Sequence, residues 1–359
     1  MKSSPVSFFE NHQKVIANQS LVILLVNIAK QRGVHHDKLL KGTKLFYHHL
    51  SEQNFAISHQ QFVVLVNNAI KQIKGCDIAF LLGSQLLPNH LGAIGKVINN
   101  CRNFQDVIRV VKCHHQAIFP YMFLREIGCA QKSYFLFNHA VSHENSQYQQ
   151  FICELLLSML ASLIKWRFAD EPRNTVNIQI RLPYQKPTQI ECYHAYLPSQ
   201  LAIVFEEKNQ GWGALQICCN RDDLTMAFSE SHSLLKYQYL KGAKRLCNGN
   251  SVGLVQCVSN FIASCLRENR DYSLEATAQF LGISSATLKR KLTAHNTSYQ
   301  ALLDLYRKQQ AVFQLTEQAK SNDDVAQSLM FTDITNFRRS FKRWTGLTPS
   351  ALRNAYAKQ

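Results

Sequence analysis

The spacing of apolar residues changes character along this chain, and those changes mark out its parts. From Ser20 to Ala29 and from Gln60 to Ile73 the apolar positions keep helical spacing, the second through Phe62, Leu65, Val66, Ala69, Ile70 and Ile73, with Gly33, Gly42 and Gly75 as breaks. Lys38 to Gln53 fits a further short helix, and residues 1 to 20 read as a loose lead-in. Between Cys76 and Pro120 an element ends at Gly83, Pro88-Asn89-His90 opens a turn, Gly92 and Gly95 permit close packing, and a helix runs from Asn103 through Val111. Tyr134 to Phe137 then reads as strand, whereas Phe151 to Phe168 has the pattern of a helix buried on most sides. Runs suited to strands follow at Val176–Leu182, Ile190–Tyr196, Leu201–Glu206 and Ala214–Cys218, separated by Pro183, Pro187, Pro198 and Gly211. Arg221 to Leu246 returns to helix. Helices followed by short strands predict an α+β N-terminal domain, helices plus a small sheet, over residues 1–247. The polar, glycine-containing stretch 248–253, Asn248-Gly249-Asn250-Ser251-Val252-Gly253, is the clearest linker.

Residues 254–359 read as helices throughout, an all-α C-terminal domain. Leu254–Leu266 is a helix, Ser273 is placed to cap Leu274–Leu281, Gly282 sits where the chain must reverse, and Ser284 is placed to cap Ser285–Ala294. Leu288 and Leu292 face inward there, leaving Ser285, Ala286, Lys289, Arg290 and Thr293 outward. Ser298 can cap a long helix with Tyr299, Leu302, Leu303, Tyr306, Gln310 and Phe313 on one face. A second pair of short helices follows, through Val325, Ala326 and Leu329 and then through Ile334, Phe337, Phe341 and Trp344, with a tight turn at Met330–Thr332. The last helix of that pair turns Asn336, Arg338, Arg339, Lys342 and Arg343 away from its aromatic stripe, the layout of a helix-turn-helix whose second helix enters a DNA major groove. Thr348-Pro349 supplies an N-cap and a first-turn proline for a closing helix. The predicted module is two helix-turn-helix units joined by a long helix.

Phe331, the run Asn336-Phe337-Arg338-Arg339-Ser340-Phe341-Lys342-Arg343-Trp344-Thr345-Gly346-Leu347-Thr348-Pro349-Ser350, and Arg353 resemble the second helix-turn-helix of the AraC/XylS family of bacterial transcription regulators. Leu281-Gly282-Ile283-Ser284, Thr287-Leu288 and Arg290 resemble the family's first unit, and Pro88, Leu91, Gly92 and Gly95 resemble an arabinose-binding-type effector domain found in one of its subgroups. The family usually has glycine before the aromatic of the second turn, where this chain has Met330. If that position needs a positive φ, methionine costs about 1 kcal/mol. The resemblance implies recognition helices that enter successive major-groove segments on one face of double-stranded DNA. It also implies activation more often than repression, through contact with RNA polymerase. By resemblance and outward geometry together, Ser285, Ala286, Lys289 and Arg290 are expected to approach base edges from the first helix, and Ile334, Thr335, Asn336, Arg338 and Arg339 from the second. Lys342, Arg343 and Arg353 are expected to hold phosphates.

A formal charge of +16 suits a polyanionic partner, yet it is not confined to the module: residues 251–359 hold fourteen Lys/Arg against eight Asp/Glu. The 359-residue length exceeds one ordinary core. No apolar run reaches the roughly 18 residues of a membrane span, so a cytoplasmic protein without membrane contact is expected. Eleven scattered cysteines fit reduced thiols packed as small hydrophobes, with Cys218-Cys219 on a strand, one side chain to each face. Cys113-His114-His115, His35-His36 and His48-His49 invite a metal reading, but adjacent helical residues point about 100° apart, and no metal or cofactor is expected. No phosphate-cradling loop, nucleophile elbow or paired-carboxylate motif is visible, and no enzyme is expected. The N-terminal domain is expected to sense a small-molecule effector, to form a homodimer, or both, with the amphipathic tail Leu224–Leu246 as a candidate dimer face. The alternative is a purely dimerising or protein-docking domain without ligand.

Overall fold

The computed structural model describes residues 6–17, 19–52, 55–119, 122–139, 146–168, 177–206, 211–228, 230–246 and 252–357. The N-terminal elements begin with β1 (Phe8–Phe9), β2 (Lys14–Ile16), α1 (Gln19–Gln31), α2 (His36–Leu40), β3 (Ile57–Ser58), α3 (His59–Gln72), α4 (Ile78–Gln85), α5 (Gly92–Asn99) and α6 (Phe104–Ile118). They continue with β4 (Met122–Gly128), β5 (Lys132–His139), α7 (Ser146–Arg167), β6 (Ile178–Leu182), α8 (Glu191–Tyr196), β7 (Leu201–Phe205), β8 (Leu215–Asn220), α9 (Arg221–Thr225) and α10 (Ser233–Leu246). After β9 (Val252–Gly253) come only helices: α11 (Leu254–Arg267), α12 (Leu274–Phe280), α13 (Ser285–Ala294), α14 (Tyr299–Thr316), α15 (Asn322–Ser328), α16 (Ile334–Thr345) and α17 (Pro349–Ala357). The fold is an α+β region followed by an all-helical one, as the patterning predicts.

A mixed five-stranded sheet in the order β4-β5-β8-β6-β7 is the scaffold. Its strands are antiparallel except for β6 and β7, which run parallel through the α8 crossover, with Ile180 opposite both Ile203 and Ile217. Period-two alternation sends Phe135, Phe137 and Cys219 into the N-terminal core, packed on α6 and α7. It sends their neighbours Tyr134, Leu136 and Cys218 to the other face, into a cluster with Val312 and Phe313 of α14 and Phe337 and Phe341 of α16. Phe123 of β4 reaches the cluster built on α11, α12 and α13. One sheet therefore closes the N-terminal core and completes both helical cores of the C-terminal region.

Local chemistry explains most boundaries. Ser58 and Asn103 accept the N3 amides of α3 and α6. α4 lies so close to α7 that a Cβ at Gly83 would fall 2.5 Å from the Leu155 carbonyl oxygen. Gly83 is thus an interior packing residue of α4, not its end. Gly92, at φ +57°, serves backbone shape instead, since a Cβ there would meet nothing within 4 Å.

Several expectations are corrected. Ile190–Tyr196 contains helix α8, not a strand: Tyr193 and Tyr196, three residues apart, both pack on Phe80 with ring centroids at 5.1 and 5.4 Å. Lys38–Gln53 holds the end of α2 and a separate 3-10 turn at Tyr47–Ser51. Arg221–Leu246 is two helices, α9 and α10. Within the described part of the lead-in, β1 pairs in parallel with β9, and Asn11 donates to the Ala294 carbonyl at 2.7 Å, so the first strands strap the C-terminal region. Residues 248–251 of the expected linker, and Val176 of the first expected strand run, lie outside the described residues. Cys76 and Cys192 are joined as a disulfide, against the expectation of reduced thiols throughout. Cys218 and Cys219 do occupy opposite sheet faces, and both are buried because both faces are covered.

Candidate nucleic-acid interface

The two units repeat one backbone device. After α12, Gly282 N–H donates to Gln279 O and Ile283 N–H to Ala278 O, each at 3.0 Å; after α15, Met330 N–H donates to Gln327 O and Phe331 N–H to Ala326 O, also at 3.0 Å. These are the paired bonds of a Schellman turn, which needs a left-handed residue just past the helix. Gly282 takes φ 69° and Met330 takes φ 57°. The methionine sits in the strained position, with its side chain packed against the cluster of the first unit.

Each following helix is capped by the residue before it. Ser284 accepts the Thr287 N–H at 3.2 Å, and Asp333 accepts the Asn336 N–H at 2.7 Å. α13 then buries Leu288 and Leu292, and α16 buries Phe337, Phe341 and Trp344. The opposite faces carry Ala286, Lys289 and Arg290 on α13 and Thr335, Asn336, Arg338, Arg339, Lys342 and Arg343 on α16, all exposed. Ser285 and Ile334 are half-buried at the helix starts. Among the described residues no hydrogen bond or ion pair engages the side chains of Lys289, Arg290, Arg338, Arg339 or Lys342.

Three predicted contact residues are already engaged. The Asn336 amide donates to Asp333 Oδ2 at 2.6 Å, Arg343 pairs with Asp304 of α14 at 3.0 Å, and Arg353 donates to Lys320 O at 2.6 Å and to Asn322 Oδ1 at 2.9 Å. Arg353 therefore ties α17 to the start of α15, and Arg343 braces α16 on the connecting helix.

Behind this surface lies a junction that sequence patterning does not reveal. Gln309 of α14 donates to Asn138 Oδ1 at 2.7 Å and accepts from Arg125 of β4 at 3.0 Å, while the Arg125 guanidinium lies 3.9 Å from the centre of the Tyr306 ring. Burial pushes Arg125 down to about 10 and lifts the Glu206 carboxyl to about 7; Lys308 beside Glu206 is lowered, also by burial. Tyr134 donates to Glu317. The predicted face of α14 is there, but Lys308 and Gln309 are buried too, where the sheet meets the helix, and so is Arg307, which donates to the Tyr272 hydroxyl at 2.9 Å and lies over the Phe331 ring. At the first unit, Lys291 of α13 pairs with Glu10, and His295 Nε2 accepts the Asn11 N–H at 3.4 Å. Burial holds His295 down to about 4.

Among the described residues, His35, His36 and Asp37 form one group with metal-ligand spacing, and His48, His49 and Glu52 another. Adjacent histidines do converge here, but one nitrogen in each group serves the backbone: His35 Nδ1 accepts the Asp37 N–H at 3.3 Å and His49 Nδ1 the Phe46 N–H at 3.1 Å. Cys113 is exposed, whereas His115 is buried on Gln256 at 2.9 Å. No described helix is long and apolar enough to cross a membrane.

Comparison with known proteins agrees with this anatomy. Residues 277–355 match a family described as helix-turn-helix domain, and residues 33–205 match the arabinose-binding N-terminal domain of AraC transcription regulators. The ornithine utilization regulator of Pseudomonas aeruginosa is 23% identical over 338 residues, covering 92% of this chain and 94% of its own length. The transcriptional regulator AdiY of Escherichia coli is 32% identical over 98 residues, 27% of this chain and 39% of that protein. The crystal structure of the regulator CdpR from Pseudomonas aeruginosa aligns with 92% of this chain and 97% of its own, at 15% identity and a TM-score of 0.41.

Proposed function

Because this chain belongs to the AraC family of transcription regulators, with the family's effector-binding domain ahead of its helix-turn-helix domain, we propose that α13 and α16 read an operator in successive major-groove segments. The observation that carries this reading is the set of exposed cations whose side chains have no partner among the described residues, on two helices that are capped and turned alike. Arg290, Arg338 and Arg339 are free to grip guanine edges, and Lys289 and Ser285 to hydrogen-bond beside them. Ala286, Ile334 and Thr335 supply methyl contacts, and Asn336 reads adenine once its Asp333 bond is exchanged. Lys342 holds phosphate, and Arg343 and Arg353 do so to the extent that their internal partners release them.

The protein acts by binding rather than by catalysis, in the cytoplasm, as an activator that touches RNA polymerase. Residues 1–247 are the effector and oligomerisation domain, 248–253 the junction and 254–359 the DNA-binding domain. Occupancy of the sensor domain shifts the sheet against α14 and so alters how two copies reach paired half-sites. The shared cores support this coupling. A homodimer through α10 is supported by Leu234 and Tyr237, which lie on one helical face and are 86% and 61% exposed.

Genome-wide mapping of bound sites yields an operator for the test. In shift titrations, Arg290→Ala and Arg339→Ala each lose about 1–3 kcal/mol on that operator and relax the base preference, while Lys342→Ala weakens all sequences alike. An arginine variant with unchanged affinity leaves the reading set.

A further inference from the structure

The middle of α7 buries a carboxylate that the DNA-binding reading does not use. Glu154 is 6% exposed. Its Oε1 accepts the Gln150 amide at 2.8 Å and the Tyr193 hydroxyl at 2.7 Å, and the Tyr193 hydroxyl lies 3.1 Å from that of Tyr184. No ion pair among the described residues involves Glu154. A buried carboxylate without a cation is costly, and burial accordingly raises its pKa.

Beside Glu154 opens a cavity of about 380 Å³, walled by the first half of α7, the start of α4, and the segment around α8. That volume falls within the roughly 300–1,000 Å³ of small-molecule sites. Among its lining residues Glu154 is the one formally charged side chain, and Gln147, Gln150 and Gln189 add amide donors and acceptors. The cavity between α6, α7 and the sheet is smaller, about 130 Å³, and lined almost wholly by apolar side chains, with no polar group to orient a ligand.

The geometry points to the cavity beside Glu154 as a site for a small molecule bearing a primary ammonium or guanidinium group, seated on Glu154, with its other polar atoms on the surrounding glutamines. This rests on the reading of the N-terminal region as an effector domain and names the chemistry of the effector. A route outward is present. The Tyr193 ring packs edge-on against Phe205 at 5.3 Å, and the next residue, Glu206, accepts the Trp212 N–H at 3.3 Å where the sheet meets α14.

Calorimetric titration of the full chain without DNA, using 1,4-diaminobutane, agmatine and L-lysine as probes, tests the assignment. 1,4-Butanediol and succinate serve as uncharged and anionic controls. At least one amine is expected to bind while both controls do not. Glu154→Gln, which keeps the Tyr193 and Gln150 bonds and removes the buried charge, should lose at least tenfold in affinity with a melting temperature at or above that of the wild type. Gln150→Leu, half-exposed on the same helix, gives an independent reading with a loss of about threefold if Glu154→Gln does not fold. Silence from all three amines, equal binding of the diol, or undiminished binding by the variants would overturn the proposal. Operator shift assays run in parallel keep the readings apart: a chain that binds its operator but no amine remains a regulator and loses only this site.

Discussion

Met330 shows what one side chain can cost and repay. Its left-handed backbone carries about 1 kcal/mol of strain, yet the side chain packs on the core of the first unit from within the turn of the second. Met330→Ala keeps the strain and loses the packing, whereas Met330→Gly loses both. Chemical denaturation should therefore find the alanine variant less stable than the glycine variant by about 1 kcal/mol; the reverse order would mean the turn is not strained. His295 carries a pH dependence. It faces Glu10, His12, His59 and Lys291, and burial depresses it to about 4. The unfolded chain then binds the extra proton between about pH 6.5 and 4, so this contribution is full above pH 6.5 and lost as pH falls through that window. Stability of the wild type should drop by on the order of 1–3 kcal/mol more than that of His295→Gln across it. A positive φ at Met330 was legible in the sequence only as a condition, from the glycine that the resembled family usually has there, and the backbone takes it. The His295 contact was not legible, because Asn11 lies 284 positions away.

At the level of elements, caps and stripes carried the sequence reading of the helical region. Ser273, Ser284, Ser298 and Thr348 each accept the amide three residues on, and the Phe337, Phe341, Trp344 stripe is buried. Reading failed where an element's surroundings, and not its own period, decided its form. α8 is helical because its two tyrosines clasp Phe80, and the second half of α14 is buried nearly all round because a sheet far upstream lies on it. α10 offers the element-scale test. Leu234→Glu places a charge on its exposed apolar face; if α10 is the proposed dimer face, sedimentation should find the wild type dimeric and the variant monomeric at micromolar concentration without loss of the fold. A wild-type monomer, or a variant that still dimerises, removes α10 as the contact.

For the whole molecule, the decisive feature is a sheet with work on both sides. A linker of polar residues suggests two bodies on a tether, but Asn138, Gln309 and Arg125 share a buried hydrogen-bond set, and the Trp212 ring, fully buried, lies in one cluster with Phe313 and Phe337. Such a junction transmits small displacements as alternative packings instead of absorbing them. Composition and charge had no means of revealing this, since the hydrogen-bonded residues that meet across it lie 171 and 184 positions apart in the chain.

Cys218 and Cys219 make that architecture measurable. Burial raises both thiols, Cys219 to about 12, so neither reacts with a maleimide until its own side of the strand opens. Consecutive residues thus serve as two separate clocks, one for release of the DNA-binding half and one for opening of the sensor interior. Mass spectrometry of tryptic peptides over a labelling time course should find Cys218 modified first if the halves part before either unfolds, and the two modified together if the chain opens as one.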